Sequence, residues 1–81
     1  MRLPRDCSGT DLARALRSFG YSMTRQTGSH LRLTTQEHGE HHVTIPAHGS
    51  LRLGTLAAIL DDVAQHFAIS RNSVAQKIFS R

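Results

Sequence analysis

Residues 30–46 read HLRLTTQEHGEHHVTIP, and this stretch decides the fold. Side-chain character alternates along His30-Leu31-Arg32-Leu33 and again along His42-Val43-Thr44-Ile45, the period of two that a half-buried strand imposes. Between them, Glu37-His38-Gly39-Glu40 is a short turn-forming segment that suits an antiparallel return. The alternation predicts that Leu31, Leu33, Val43 and Ile45 face a core, while His30, Arg32, Thr34, His42 and Thr44 face water. Pro46 ends the run because it has no N–H to give to a ladder. Upstream, YSMTRQ (21–26) reads as a further strand closed off by Thr27-Gly28-Ser29, so the three strands form a meander.

Helices flank the meander. Ser8-Gly9-Thr10-Asp11 is a short capping box, and Leu12, Ala15, Leu16 and Phe19 then recur at helical spacing until Gly20 supplies a left-handed stop. The outer face of this helix carries Arg14 and Arg17. After the loop AHGSLRLG (47–54), Thr55 is the expected cap of a second helix whose stripe of Leu56, Ile59, Leu60, Val63 and Phe67 faces the sheet. A third helix is expected from Ser70, with Ile69 and Val74 as a hydrophobic staple and Ile78 and Phe79 continuing its apolar side. The expected architecture is α+β, α-β-β-β-α with an extra C-terminal helix, and both flanking helices cover one face of the sheet.

Eighty-one residues make one small domain, 1–81, with a core over roughly 3–67 and the added helix over roughly 70–79. The single Cys7 excludes an internal disulfide and reads as an ordinary small residue. Neither a membrane-spanning run nor the apolar stretch of a signal peptide is expected, so the expected location is cytoplasmic. Charge is unevenly placed: residues 1–35 carry six arginines against Asp6 and Asp11, whereas residues 36–81 balance four basic against four acidic side chains. Nine of the ten basic residues are arginine, whose planar fork grips phosphate from two directions, so an anionic polymer is a reasonable partner.

Several classes fit the residues badly. Six histidines invite a metal reading, but no Cys pair accompanies them, no helical His-x-x-x-His brings two ligands together, and the adjacent His41 and His42 point to opposite faces of a strand. No metal and no cofactor are expected. A base-stacking sheet surface needs exposed aromatic rings, yet Phe19, Phe67 and Phe79 lie on helix stripes. The segment GSLRLGT (49–55) lacks the Lys-Ser/Thr ending of a phosphate-binding loop.

The ordered pieces LPRDCSGTDLARALRSFGY (3–21), RQTGSH (25–30), VTIPAHG (43–49) and LRLGTLAAIL (51–60) together resemble the HicA family of toxin–antitoxin systems, over roughly residues 3–64. The resemblance implies a double-stranded-RNA-binding-like fold, metal-independent ribonuclease activity on messenger RNA, and neutralisation by a HicB-like antitoxin that covers the arginine-bearing face. Position by position, His30 matches the histidine the family uses for catalysis. Gly28 and Ser29 match the turn that presents it, and His48 matches the histidine of the later Pro46-Ala47-His48-Gly49 loop.

The residues are chemically suited to that role. RNA is cut by its own 2′-hydroxyl when a side chain removes that proton or protonates the leaving oxygen, and an imidazole does either. Arg32, on the same strand, and Arg25, at the end of the preceding one, are the expected phosphate contacts, with His48 or His42 as a second proton-transfer group. Two other readings use the same chain. One is an RNA-binding module that keeps the arginines without catalysis. The other is a DNA-binding helix-turn-helix over 63–78, with Ala64, Ile69 and Val74 in its apolar positions, Arg71, Asn72 and Gln76 on the reading helix, and Ala68 at the turn.

Overall fold

The structure, a computed structural model, describes residues 3–79; Met1, Arg2, Ser80 and Arg81 lie outside the described residues. Helix α1 (Gly9–Ala15) tightens into a 3-10 turn (Leu16–Phe19), and strands β1 (Ser22–Gln26), β2 (His30–Thr35) and β3 (His41–Pro46) follow. Helices α2 (Leu53–Phe67) and α3 (Arg71–Phe79) complete the chain. The strands form one antiparallel sheet in the order β1-β2-β3, the expected meander, and the α+β order α-β-β-β-α-α is consistent with a double-stranded-RNA-binding-like fold.

Local chemistry sets the boundaries. Ser8 Oγ accepts from the Asp11 amide at 3.0 Å, and the Ser8 amide donates to Asp11 Oδ2 at 3.3 Å, so both halves of the capping box are made. Gly20 takes the left-handed φ of 83° that ends the 3-10 turn. Helix α2 begins before the expected Thr55: Leu53 is its first residue and Arg52 its N-cap, with no side-chain cap. The reason lies upstream, where the buried Leu51 donates its amide to the Cys7 carbonyl at 2.8 Å and fixes the chain, so the helix starts directly afterwards. At its other end Ala68 adopts a left-handed φ of 58°, and the Ser70 hydroxyl then accepts from the Ser73 amide at 3.0 Å at the start of α3. Of the two residues expected to form a staple, Val74 is fully buried and Ile69 is 41% exposed.

Register carries the alternation into space. His30 pairs with Pro46, Leu31 with Ile45, Arg32 with Thr44, Leu33 with Val43 and Thr34 with His42. Leu31, Leu33, Val43 and Ile45 join Leu12, Leu16, Leu56, Leu60 and Val63 in the core, and His30, Arg32, His42 and Thr44 are exposed as the period of two requires. Thr34 departs from that expectation and is buried, its hydroxyl hydrogen-bonded with Thr24 Oγ1 at 2.9 Å and with His42 Nδ1 at 2.7 Å. The buried Thr35 hydroxyl donates to the Phe19 carbonyl at 2.9 Å, which removes the cost of an unpaired group in the core. Cys7 is buried, and burial, with Asp11 nearby, pushes its thiol pKa up, as suits a small packing residue.

Helix α3 packs through Val74 and Ala75 onto α2 and the 3-10 turn, with Lys77 Nζ 4.6 Å above the centre of the Phe19 ring. Arg71 grips Asp61 of α2 with two hydrogen bonds of 2.7 and 2.9 Å, and holds the Asp61 carboxyl below its ordinary pKa. A guanidinium so committed is a poor phosphate contact for the helix-turn-helix reading. No helix among the described residues is long and apolar enough to cross a membrane.

The start of α1 rests on the end of β3 so closely that a Cβ at Gly9 would collide with the Pro46 carbonyl. Alanine is the better helix former, yet Gly9→Ala is expected to lower stability by about 1–3 kcal/mol, the usual cost of overpacking. Gly28, whose added Cβ would meet nothing within 4 Å, is the internal comparison. Denaturant midpoints check both: a drop for Gly9→Ala and no drop for Gly28→Ala.

Candidate active site

His30 opens β2 directly after the Thr27-Gly28-Ser29 turn, and it is exposed. The turn is tied down on both sides. The Thr27 amide donates to the His30 carbonyl at 3.0 Å, and the Ala47 amide, beyond β3, donates to the Ser29 carbonyl at 2.9 Å. Ser29 Oγ lies 3.1 Å from His30 Nδ1, which engages one ring nitrogen and leaves Nε2 to act outward. Gly28 borders open space, so the backbone at the tip of the turn is accessible to another molecule.

The ring opens onto a shallow groove of about 580 Å³ between the free edge of β3 and the first turns of α2, lined by His30, Thr44, Pro46, Gly54, Thr55 and Asp62 among others. A second depression of about 220 Å³ shares Pro46 and Thr55 with it and adds His48, Ser50 and Arg52. His30 and His48 thus border adjoining hollows, next to the amino-terminal end of α2, where unpaired N–H groups and the helix dipole favour an anion. Arg52 and Thr55 of this wall were not singled out by sequence reasoning. Their only signal was the Gly54-Thr55 step opening a helix, which reads as a cap until the helix is seen to start earlier.

The expected phosphate contacts stand apart from that groove. Arg25 and Arg32 are partners across β1 and β2, and both line a depression of about 490 Å³ on the open sheet face, together with Thr24, Thr34, Glu40 and His42. His42 is held there between Thr34 Oγ1, 2.7 Å from Nδ1, and Glu40 Oε2, 3.0 Å from Nε2. It pairs with Thr34, four residues along β2 from His30, hence about 13 Å away at the usual strand rise. One phosphodiester cannot touch both rings.

Sequence reasoning also missed a chain of ionisable groups beneath the groove. Asp62, which lines it, lies 3.1 Å from His41 Nε2, and His41 Nδ1 lies 2.7 Å from the Tyr21 hydroxyl. With the carboxylate as acceptor, Nε2 carries the proton and Nδ1 accepts from the tyrosine, an assignment made from the network. His41 stacks on His66 at 4.4 Å between ring centres and 11° between planes, and His66 Nε2 donates to the Glu37 and Gly39 carbonyls at 2.9 and 3.1 Å. The chain fastens α2 to the sheet and to the β2–β3 turn. His41 and His42 do point to opposite faces, as alternation requires, and among the described residues no cluster of His, Cys, Asp and Glu is arranged to hold a metal ion.

Residues 9–64 match the family model described as HicA toxin of bacterial toxin-antitoxin, more than half of the 81 residues. The chain belongs to the HicA toxin family. As a HicA toxin it is one component of a toxin–antitoxin system. The matched span runs from the start of α1 into α2 and contains His30, Gly28, Ser29, Arg25, Arg32 and His48, whereas α3 lies beyond it. No curated protein and no solved structure matched the chain.

Tyr21 offers a direct probe of the fastening chain. Burial, reinforced by the nearby Asp62 charge, pushes its phenol pKa up to about 12. Because the folded value lies above the ordinary one of about 10, the neutral phenol's contribution to stability is whole below pH ~10 and is lost as pH rises towards 12. Ultraviolet titration of the folded protein is expected to show tyrosinate forming near the top of that window, with Asp62→Asn bringing the midpoint down.

Proposed function

We propose that this HicA toxin is a metal-independent ribonuclease that cuts messenger RNA by transesterification, with His30 as a catalytic proton-transfer group. In this reaction the 2′-oxygen attacks the adjacent phosphorus and the bond from phosphorus to the 5′-oxygen breaks. The 2′-hydroxyl proton passes to a base, and the departing 5′-oxygen receives a proton from an acid. The observation that carries the proposal is the position of His30: an exposed imidazole, anchored through Nδ1 by Ser29, opening onto a groove at the amino-terminal end of a helix.

His48, in the adjoining hollow, is the second proton-transfer group, and Arg52 beside it balances charge on the phosphoryl oxygens. Gly28 and Ser29 bring backbone close to the RNA and orient the ring. Arg25 and Arg32, in a separate depression on the open sheet face, hold neighbouring phosphates rather than the one being cut. Two guanidiniums directly opposite each other on adjacent strands repel, so an anion between them relieves a built-in cost. An antitoxin of the HicB kind neutralises the protein by covering these groups.

His30→Ala is expected to lower the rate of RNA cleavage, in the presence of a chelator, by about 10²- to 10⁴-fold while leaving RNA affinity nearly intact. It is also expected to abolish growth arrest on induction. Arg25→Gln with Arg32→Gln should do the reverse, weakening binding and flattening its salt dependence by about one to two phosphate contacts. Full cleavage by the His30→Ala protein would falsify the mechanism. Unchanged affinity in the double variant would remove the arginines from the RNA path.

A further inference from the structure

The exposed surface that the ribonuclease reading leaves unused lies at the other edge of the sheet. Every residue of β1 is exposed, and β1 is an edge strand, so among the described residues one side of its backbone has no partner strand. Met23 pairs with Leu33, which places it on the core side of the sheet, yet it is 54% exposed because α1 does not reach over it. Between α1 and β1 runs a cleft of about 260 Å³ with Met23, Leu31, Leu33 and Ala13 as its apolar floor and Arg14 and Arg17 on its rim. Arg14 has only a loose 4.0 Å approach to Asp11 across exposed side chains.

We infer that this cleft and the free edge of β1 form a docking site for an extended acidic segment of the antitoxin, which pairs as a fourth strand on β1. An apolar side chain of that segment fills the gap beside Met23, and carboxylates on either side meet Arg14 and Arg17. Strand addition supplies main-chain hydrogen bonds and the cleft supplies selectivity. Charge decides between occupants. A second copy of this chain would bring Arg14 and Arg17 against their own counterparts, whereas an acidic strand turns the same two charges into attraction. RNA fits poorly, since Tyr21, the aromatic residue among those lining the cleft, is 2% exposed and does not offer its ring for stacking. The site lies on β1, across the sheet from the β3 groove that His30 borders, so the antitoxin grips the toxin by one edge whatever it does at the other. The inference rests on membership of the HicA family and not on the ribonuclease chemistry.

The test uses the full chain carrying His30→Ala, so that cleavage does not enter, and the antitoxin encoded at its own locus, titrated calorimetrically. Met23→Lys and Arg17→Glu are each expected to weaken the complex at least about tenfold, the loss of one interface anchor. Gln65→Lys, which adds the same single positive charge as Met23→Lys but on an exposed position of α2, is expected to leave it unchanged. Met23 is already exposed, so the lysine costs the fold little, and circular dichroism checks this. In the complex, the amides of Ser22–Gln26 should gain protection from hydrogen exchange. Affinity within about twofold of the parent for both variants, β1 amides that exchange as in the free toxin, or no complex at all would overturn the inference. So would a dimer of the free protein that Met23→Lys abolishes, or an RNA oligonucleotide that protects β1 in the same way.

Discussion

The β2–β3 ladder is the constraint on which the other features depend. Four apolar side chains on it, Leu31, Leu33, Val43 and Ile45, are buried, and a period of two leaves no choice about the rest. Slipping the register by one residue would drive His30, Arg32 and Thr44 into a core that has no partners for them and expose the leucines. Burial of ordinary aliphatic residues is therefore what displays the imidazole. The same ladder sets Ser29 against Ala47, so the Gly-Ser-His turn and the Pro-Ala-His-Gly loop are brought together by strand pairing rather than by any contact between the two histidines.

The helices act on this sheet from one side. Helix α1 is fitted to the end of β3 through Gly9, and α2 is fastened through the Tyr21, His41 and Asp62 chain and through His66. The chain is mostly polar, yet each member has a partner, which is why a thin core tolerates it. What the helices leave open is as informative as what they cover. At the β3 edge, the first turns of α2 form a wall that includes Gly54, Thr55, Ala58 and Asp62 beside His30; at the β1 edge, α1 stops short of Met23. The two edges thus differ in charge, one next to a helix amino terminus with Asp62 in its wall, the other rimmed by Arg14 and Arg17.

Much of the fold was legible in the residues because the relevant signals are local. The capping box at Ser8, the left-handed Gly20, the meander and the helical stripe of α2 each follow from periodicities or from backbone chemistry within a few positions. The misread features were decided from further away. Thr55 reads as a cap until Cys7 is found holding Leu51, and Thr34 reads as exposed until Thr24 and His42 are found closing over it. At the candidate site, alternation was enough to expose His30 and to separate His41 from His42. It could not show that Arg25 and Arg32 share a hollow with His42, nor that Arg52 and Thr55 flank the histidines, because those neighbourhoods arise from strand order and helix placement.

Identity of the cleaved linkage tests the chemistry at its root. Purified toxin, with chelator present, would be given one RNA in two forms, all-ribose or with a single 2′-deoxynucleotide at the position cut, and the ends of the upstream fragment determined by mass. Attack by the neighbouring hydroxyl requires that only the all-ribose strand is cut there and that its fragment carries a 2′,3′-cyclic phosphate. Equal cutting of the deoxy-substituted strand would mean that water or another nucleophile does the work, and His30 would lose the role proposed for it.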